Sequence, residues 1–311
     1  MKILVTGGTG FIGKQLVKML ADEGHQVTAF AQEEDIDLPD DVKLVTGNIT
    51  DKVKLRRAGG FEIVYHLAAC VDEDNPEMWA TNVTGTEKVI ELCKEKKVKQ
   101  IIFMSTAGVL GETTTPAKEN TPCRPETKYD KSKAEAEKII RASGIPYTII
   151  RSPPVLGANV NWYKIFVAIK KGHPIIGSGK NKFHAAHVDD VVRLLGAVLN
   201  NKKAFDHTFH VACRDVMSYE DFYNLVRKQM KVRGARKYRS VKVAKLLSHL
   251  HALKSGVQAQ PMNHHMSRQH INMVTKNCVL SIQKAKDILG FEPQYTMPAA
   301  VNKAYRDLVE F

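Results

Sequence analysis

The feature that most restricts the fold is a glycine-rich turn near the N-terminus. The segment TGGTGFIG places Gly7, Gly10 and Gly13 between an apolar run of strand length, KILV, and an apolar helical pattern. A helix that starts directly after such a turn presents unpaired backbone N–H groups and positive partial charge, and glycines let a phosphate approach the backbone closely. The order of strand, glycine turn and helix therefore predicts a site for the pyrophosphate of a dinucleotide.

Apolar runs of strand length alternate with helical patterns through the first half of the chain. This alternation is typical of right-handed βαβ units in a parallel sheet, and strands that are apolar on both faces indicate helices on each side. We expect strands at KILVT, QVTAFA, VKLVTG, IVYHLAA, QIIFMST and YTIIR, and helices that begin near Phe11, Asp51, Met78 and Thr127.

The alternation stops near Pro153 and Pro154. Further on, HVDDVVRLLGAVLNN and MSYEDFYNLVRKQM have amphipathic helical patterns, and TFHVA is typical of a strand that returns to the sheet. The prediction is an α/β protein with a Rossmann doubly wound parallel sheet over residues 1–155, completed by a returning strand near 207–212. Residues 156–311 are expected to form a smaller, mixed and discontinuous C-terminal substrate lobe.

Composition places the chain among ordinary globular proteins, with 43% hydrophobic and 25% charged residues and no apolar run long enough to cross a bilayer. The first residues, MKILVTGG, pass directly into a predicted strand and leave no room for a secretion signal, so we expect a cytoplasmic protein. The five cysteines lie singly without CxxC spacing, which favours reduced thiols over disulfides or a zinc site.

The net charge of +13 is concentrated in one segment. Residues 222–286 contain 14 Lys/Arg and no Asp or Glu, whereas the rest of the chain carries 32 basic and 33 acidic residues. Three interpretations remain: attraction of an anionic substrate, contact with anionic lipid or nucleic acid, or a solvated basic face, which is the plainest. Within this segment SVKVAKLLSHLHALKS is basic and apolar, so membrane contact stays open, whereas nucleic acid is disfavoured.

The choice between NAD and NADP depends on the end of the second strand, where an acid would hold the ribose diol and an arginine a 2′-phosphate. Gln32 stands there and is followed by the acidic run EED, with no Lys or Arg between Lys18 and Lys43. This acidic stretch would repel a 2′-phosphate, so NAD is the expected cofactor. NADP stays open because Gln32 is not an acid and Lys14 follows the glycine turn.

Several motifs together resemble the extended short-chain dehydrogenase/reductase family, especially its NAD-dependent epimerase/dehydratase and 3β-hydroxysteroid dehydrogenase-like branches. In chain order they are TGGTGFIG, GNITD, YHLAA, NVTGT, STAGVLG, YDKSK, IIRSPPVLG, HVDDVV and LGFEP. Two positions depart from the family pattern, since Asn48 stands where Asp is usual and Leu110 where Tyr is usual. The resemblance runs almost from end to end and implies an NAD(P)-dependent oxidoreductase.

The resemblance also implies which residues border the dinucleotide. They belong to strand ends and helix starts: Gly7, Gly10, Phe11, Ile12, Gly13, Gln32, Asn48, Ile49, Leu67, Ala68, Ala69, Asn82, Ser105, Tyr129, Lys133 and Pro153. Asn82 is expected to position a helix rather than to take part in the chemistry, because buried amides mostly satisfy backbone groups.

The catalytic residues that the resemblance implies are Thr106, Tyr129 and Lys133. The spacing of Tyr129 and Lys133 places both side chains on one face of a helix. A phenol has an ordinary pKa of about 10, and a nearby ammonium together with oxidised nicotinamide would lower it towards neutral pH. Thr106 would bind the reacting oxygen, with Ser105 as the alternative.

Two further patterns predict weaker candidates. Tyr238 and Lys242 repeat the YxxxK spacing but follow no partner strand, which disfavours them. His184 and His187 form an HxxH motif, but a metal site needs at least a third converging ligand, and HVDDVV already resembles a turn and helix start. We therefore expect no metal.

The function expected from these residues is transient hydride transfer on a small-molecule substrate, most simply a nucleotide sugar, with Tyr129 as acid and base. An NAD(P)H-dependent ketone or hydroxysteroid-type reductase or dehydrogenase is the first alternative. A non-catalytic cofactor-binding protein with a basic docking lobe is the second. The resemblance also implies a homodimer formed through helices.

Overall fold

The computed structural model describes residues 1–33, 37–254 and 268–310. In chain order its strands are β1 (Lys2–Thr6), β2 (Gln26–Ala31), β3 (Lys43–Thr46), β4 (Ile63–His66), β5 (Gln100–Thr106), β6 (Tyr147–Ser152), β7 (Val155–Leu156), β8 (Ile175–Ile176), β9 (Lys182–Phe183), β10 (Ala186–His187), β11 (His207–His210), β12 (Met217–Ser218) and β13 (Tyr238–Arg239).

The α-helices surround these strands. They are α1 (Phe11–Asp22), α2 (Lys52–Arg56), α3 (Gly85–Lys96), α4 (Lys128–Arg141), α5 (Val160–Lys170), α6 (Val188–Ala197), α7 (Tyr219–Gln229), α8 (Val241–Lys254), α9 (Arg268–Thr275), α10 (Gln283–Leu289) and α11 (Met297–Glu310). A π-helical turn (Ala80–Thr84) precedes α3, and short 3₁₀ helices span Ala107–Leu110 and Lys202–Ala204. Within the described residues no helix is both long enough and apolar enough to span a membrane.

The central sheet has seven strands in the order β11-β6-β5-β4-β1-β2-β3, and every pair is parallel. The order reverses beside β1, so the carboxyl ends of β1 and β4 flank a crevice of the kind where open α/β sheets bind ligands. The strand expected from TFHVA does return to this sheet, as β11 beside β6. The Rossmann doubly wound architecture is therefore confirmed.

Helices cover both faces of the sheet, as the apolar strands require. Ile3 and Val5 of β1 point into one core with Leu16 of α1 and Leu194 of α6, and Leu4 points to the opposite core. That second core also receives α3 and α4, so each face of β1 is sealed from water and the strand ends are left to form the site.

A third apolar cluster lies in the C-terminal half of the chain. Phe166 of α5, Phe183 of β9 and Phe222 of α7 pack together, with 4.9 Å between the ring centroids of Phe183 and Phe222. Ala304 of α11 also belongs to this cluster. Short two-stranded pairings, β7 with β10, β9 with β12 and β8 with β13, accompany it.

Three sequence-predicted elements differ in extent. The strand expected over IVYHLAA ends at His66, because the backbone N–H of Ala68 turns to donate to the Thr6 hydroxyl (3.3 Å). The helix expected near Met78 begins as the π-helical turn at Ala80. The helix expected over HVDDVVRLLGAVLNN ends at Ala197, and Asn200 beyond it takes a left-handed φ of 49°.

Candidate active site

The glycine turn packs so closely against neighbouring backbone that it leaves no room for side chains. A Cβ on Gly7, whose φ is +71°, would lie 2.7 Å from the backbone nitrogen of Ala68. A Cβ on Gly13 would lie 2.0 Å from the Gly7 carbonyl oxygen. Both glycines are therefore required for the turn to pack against its own helix and against the chain that follows β4.

The start of α1 faces outward from this turn. Its N-cap, Gly10, brings no side chain, so the N–H groups of Phe11, Ile12 and Gly13 are left unpaired by the geometry of a helix start. Leu67, Ala68 and Ala69 follow β4 directly alongside. Orphan N–H groups, a helix N-terminus and a cradle that a Cβ would fill are what a pyrophosphate needs, so these residues fit a dinucleotide.

Other residues that the sequence predicts to bind the dinucleotide follow β2 and β3. Gln32 is exposed at the tip of β2, and Lys14 contacts Asp37 with 3.5 Å between Nζ and Oδ2. The Asn48 carboxamide is used within its own turn, where it accepts from the N–H and the hydroxyl of Thr50 at 3.0 and 2.9 Å. Buried Ile49 beside it fits only because Gly85 lacks a side chain, since a Cβ there would lie 2.5 Å away.

The three sequence-predicted catalytic residues come from two neighbouring elements. Thr106 is the last residue of β5, and its hydroxyl oxygen accepts the N–H of Gly108 at 3.1 Å, which leaves the hydroxyl hydrogen free to be donated. Tyr129 and Lys133 lie in the first turns of α4. Thr106 thus lies at the carboxyl end of β5, two strands from β1 in the sheet, and α4 packs against β5.

Asp130 connects α4 to the turn that follows β5. Thr127 is the N-cap of α4, and its hydroxyl accepts the Asp130 N–H (3.0 Å) and donates to the Asp130 carboxylate (2.7 Å). The same carboxylate packs on Gly108, where a Cβ would lie 1.9 Å from Oδ1. The turn after Thr106 and the helix that carries Tyr129 are therefore in direct contact.

Tyr129 is held by a carboxylate from the loop after β4. Its backbone N–H donates to Glu73 Oε1 at 3.0 Å, which satisfies one of the orphan donors of α4. Burial, followed by the nearby groups of Asp130 and Cys70, raises the pKa of the Tyr129 phenol above its ordinary value. The lowering expected from the ammonium together with oxidised nicotinamide therefore stays a prediction for the complex with the dinucleotide.

Lys133 is buried, with 2% of its surface exposed, and its Nζ lies 4.0 Å from the centroid of the Phe103 ring. Burial lowers its pKa to about 7, and the carboxylate of Glu137 opposes that shift. A side chain near its midpoint at neutral pH can bind hydroxyl groups as donor or acceptor, and it raises the local positive potential when protonated.

Asn82 and Ser105 take structural positions. The Asn82 amide accepts the Cys70 N–H (2.8 Å) and donates to the Cys70 carbonyl (2.9 Å) and to the Ser132 hydroxyl (2.9 Å), so it ties the loop after β4 to α4. This is the positioning role expected for it. The Ser105 hydroxyl donates to buried Glu137 at 2.6 Å, so Thr106, and not Ser105, has its hydroxyl available.

The weaker candidates lie elsewhere. The ring of His184 contacts the Cys213 carbonyl and the N–H of Leu280, at 2.8 and 3.2 Å, and His187 caps α6. Tyr238 lies on β13 with its hydroxyl donated to Glu220, separated from the active-site elements. Pro153 is buried just after β6.

A model of the NAD dependent epimerase/dehydratase family matches residues 3–212. The chain belongs to this family. NAD is accordingly its cofactor, as the acidic run after β2 predicts, and the chain is an enzyme of the epimerase/dehydratase kind.

Individual relatives cover more than one branch. A UDP-glucose 4-epimerase of Corynebacterium glutamicum is 32% identical over 176 residues, which are 52% of this chain and 53% of that enzyme. A 3-beta-hydroxysteroid dehydrogenase of Mycolicibacterium neoaurum is 25% identical over 348 residues, 99% of this chain and 92% of that enzyme. The crystal structure of UDP-glucose 4-epimerase from Thermotoga maritima with UDP-glucose has a TM-score of 0.80 at 21% identity and covers 100% of this chain and 99% of that one.

One buried residue of the site escaped sequence reasoning. His66 ends β4 and bonds Thr6 at 2.7 Å and Thr86 at 3.0 Å. Because the single Thr86 hydroxyl hydrogen goes to the Asn82 carbonyl (2.6 Å), His66 Nε2 must donate and Nδ1 must accept. Burial and the charge of Lys133 lower its pKa to about 3, so this neutral ring locks β1, β4 and α3 together under the dinucleotide site.

Replacing Lys133 by Met is expected to stabilise the protein by about 1–4 kcal/mol in the absence of ligands, because an apolar side chain removes a buried charge. Between pH about 7 and 10.5 the unfolded chain binds the proton that the folded Lys133 has lost, so wild-type stability rises with pH over this window. Urea unfolding of both proteins across this range checks the prediction. A stability difference that does not change with pH would contradict the assignment.

Proposed function

We propose that the protein interconverts nucleotide sugars by transient oxidation of a carbinol carbon, with Tyr129 as the acid and base. The observation that carries this proposal is that Thr106 ends β5 and α4, which bears Tyr129 and Lys133, packs against that strand, in the same sheet whose β1 leads into the close-packed glycine turn. The UDP-glucose 4-epimerases among the relatives support the choice of substrate class.

The residues divide the chemistry between them. The Tyr129 phenolate takes the proton of the substrate hydroxyl as the carbon is oxidised, and the resulting phenol returns it when the carbonyl is reduced on its other face. The Thr106 hydroxyl donates to the same substrate oxygen, since its own oxygen is already bonded by Gly108. When bound, oxidised NAD supplies the hydride acceptor and a positive charge near the phenol.

Lys133 has two duties in this scheme. As an ammonium it favours the phenolate form of Tyr129 against the opposing effect of burial, and as a hydrogen-bond donor it holds ribose hydroxyls. Its own lowered pKa means that both duties weaken as the pH rises above about 7.

The test is a substrate panel with the purified protein and NAD. We expect UDP-glucose and UDP-galactose, or another pair of epimeric nucleotide sugars, to interconvert without net accumulation of NADH. Stoichiometric NADH formation from a hydroxysteroid, with no turnover of any nucleotide sugar, would replace this function with the dehydrogenase alternative. The full-length match to a 3-beta-hydroxysteroid dehydrogenase supports that alternative.

Two finer properties belong to the same proposal. We infer a helix-mediated homodimer, on the family resemblance, and a cytoplasmic location. Analytical ultracentrifugation of the full chain measures the first, and a species with the mass of one chain at micromolar concentration would refute it.

A further inference from the structure

A basic surface lies on the C-terminal half of the molecule. We call residues 227–247 the α7–α8 surface; they comprise the end of α7, the connection to β13, and the first half of α8. Its exposed cations are Lys228, Lys231, Arg233, Arg236, Lys237, Arg239, Lys242 and Lys245. Residues 222–286 contain no acid, so an acidic partner for these cations must come from outside that segment. Glu220 is such a partner, and it pairs with Arg236.

The first part of this surface is concave. An open groove of about 590 Å³ runs along the end of α7 and is lined by Arg227, Lys228, Arg236 and Tyr238. Such a groove concentrates positive potential, since low-dielectric walls focus the field of the charges that line it.

The second part carries an exposed apolar stripe. At 100° per residue, Leu246, Val243 and Leu247 fall within an arc of about 100° on α8. Their exposed fractions are 59%, 47% and 37%, whereas Ala244 on the packed side is 0% exposed. Lys242 borders the stripe on its other side, and Lys245 lies beyond it.

This arrangement is that of a helix lying in a lipid interface, with aliphatic side chains directed into the acyl boundary and lysines directed to anionic headgroups. We propose that the α7–α8 surface docks the protein on an anionic phospholipid membrane. Charge complementarity selects anionic over zwitterionic lipid. A nucleic acid would use the cations but gains nothing from an aliphatic stripe, because strands are held by phosphate contacts and aromatic stacking.

The experiment is co-sedimentation of the full chain with vesicles of phosphatidylcholine alone and of phosphatidylcholine with phosphatidylglycerol. We expect binding to the anionic vesicles only, weakened by added salt. The variant V243S/L246S should bind at least about tenfold more weakly, since it removes two aliphatic anchors. The variant K242E/K245E should bind about twentyfold more weakly or worse.

Matched controls carry the same changes elsewhere on the surface. Val53 on α2 is 66% exposed, so Val53→Ser tests the loss of an exposed apolar side chain, and K202E/K203E tests a charge reversal. Both should bind like wild type, and all variants should retain NAD affinity. Absence of vesicle binding, equal binding to neutral vesicles, unchanged binding of V243S/L246S, or binding to an RNA hairpin in place of vesicles would overturn the proposal.

Discussion

Replacing Tyr129 by Phe is expected to lower turnover by about 10²–10⁴-fold, the usual contribution of a positioned acid and base. The change removes only the phenol oxygen, while the backbone N–H of Tyr129 keeps its bond to Glu73. At most one neutral hydrogen bond to NAD is lost, which costs less than about 1 kcal/mol. NAD affinity should therefore stay within about threefold of wild type. Steady-state assays and calorimetric titration with NAD measure the two quantities.

The second YxxxK provides the control. Tyr238→Phe makes the same chemical change on β13, where the hydroxyl donates to Glu220 outside the site. Turnover of this variant should match wild type. If Tyr129→Phe retained full turnover, Tyr129 would have no role in proton transfer.

Replacing Gly13 by Ala is expected to weaken NAD binding by about 100-fold, the equivalent of losing two hydrogen bonds to a charged phosphate. The added Cβ would lie 2.0 Å from the Gly7 carbonyl oxygen, so the turn or the start of α1 must move. Either movement takes backbone N–H groups away from the pyrophosphate. Titration of the purified variant with NAD gives the affinity.

A matched control for this change is Gly60→Ala, since a Cβ on Gly60 meets nothing within 4 Å and its φ is not positive. Its NAD affinity should equal that of wild type. Circular dichroism separates loss of binding from loss of folding in the Gly13 variant. A folded Gly13→Ala protein with wild-type NAD affinity would show that the dinucleotide lies elsewhere.

The central sheet was predictable because its information is local. Strands of the length of KILVT and QIIFMST are apolar on both faces, and each lies in the sheet with the bounds that the sequence indicates. Strand ends were less predictable where a tertiary contact sets them. β4 stops at His66 because the following backbone turns to Thr6, a residue 60 positions earlier whose position in space the sequence does not reveal.

The residues of the candidate site also differ in how well the sequence predicts them. Tyr129, Lys133 and Thr106 are found from motif spacing and family resemblance. Glu73 and Gly108 have no such signal, since they act through contacts between loops that are distant in the chain. Asp130 could have been recognised partly, because TKYD is a capping-box pattern, but its contact with Gly108 exists only in the folded protein.

The pKa of Tyr129 illustrates what sequence cannot supply. A lysine at the right spacing suggests a lowered pKa, whereas burial of the phenol raises it. Burial depends on the packing of the whole site, in which Asp130 and Cys70 add negative character. We expect the Lys133 ammonium together with oxidised NAD to lower the pKa of the phenol again.

The most direct test of the account is a crystal structure of the protein with NAD. We predict that the pyrophosphate lies over Gly10 and the start of α1, and that the phenol oxygen of Tyr129 and Nζ of Lys133 both face the nicotinamide riboside. A dinucleotide bound away from the glycine turn, or a Tyr129 ring directed away from the nicotinamide, would contradict it.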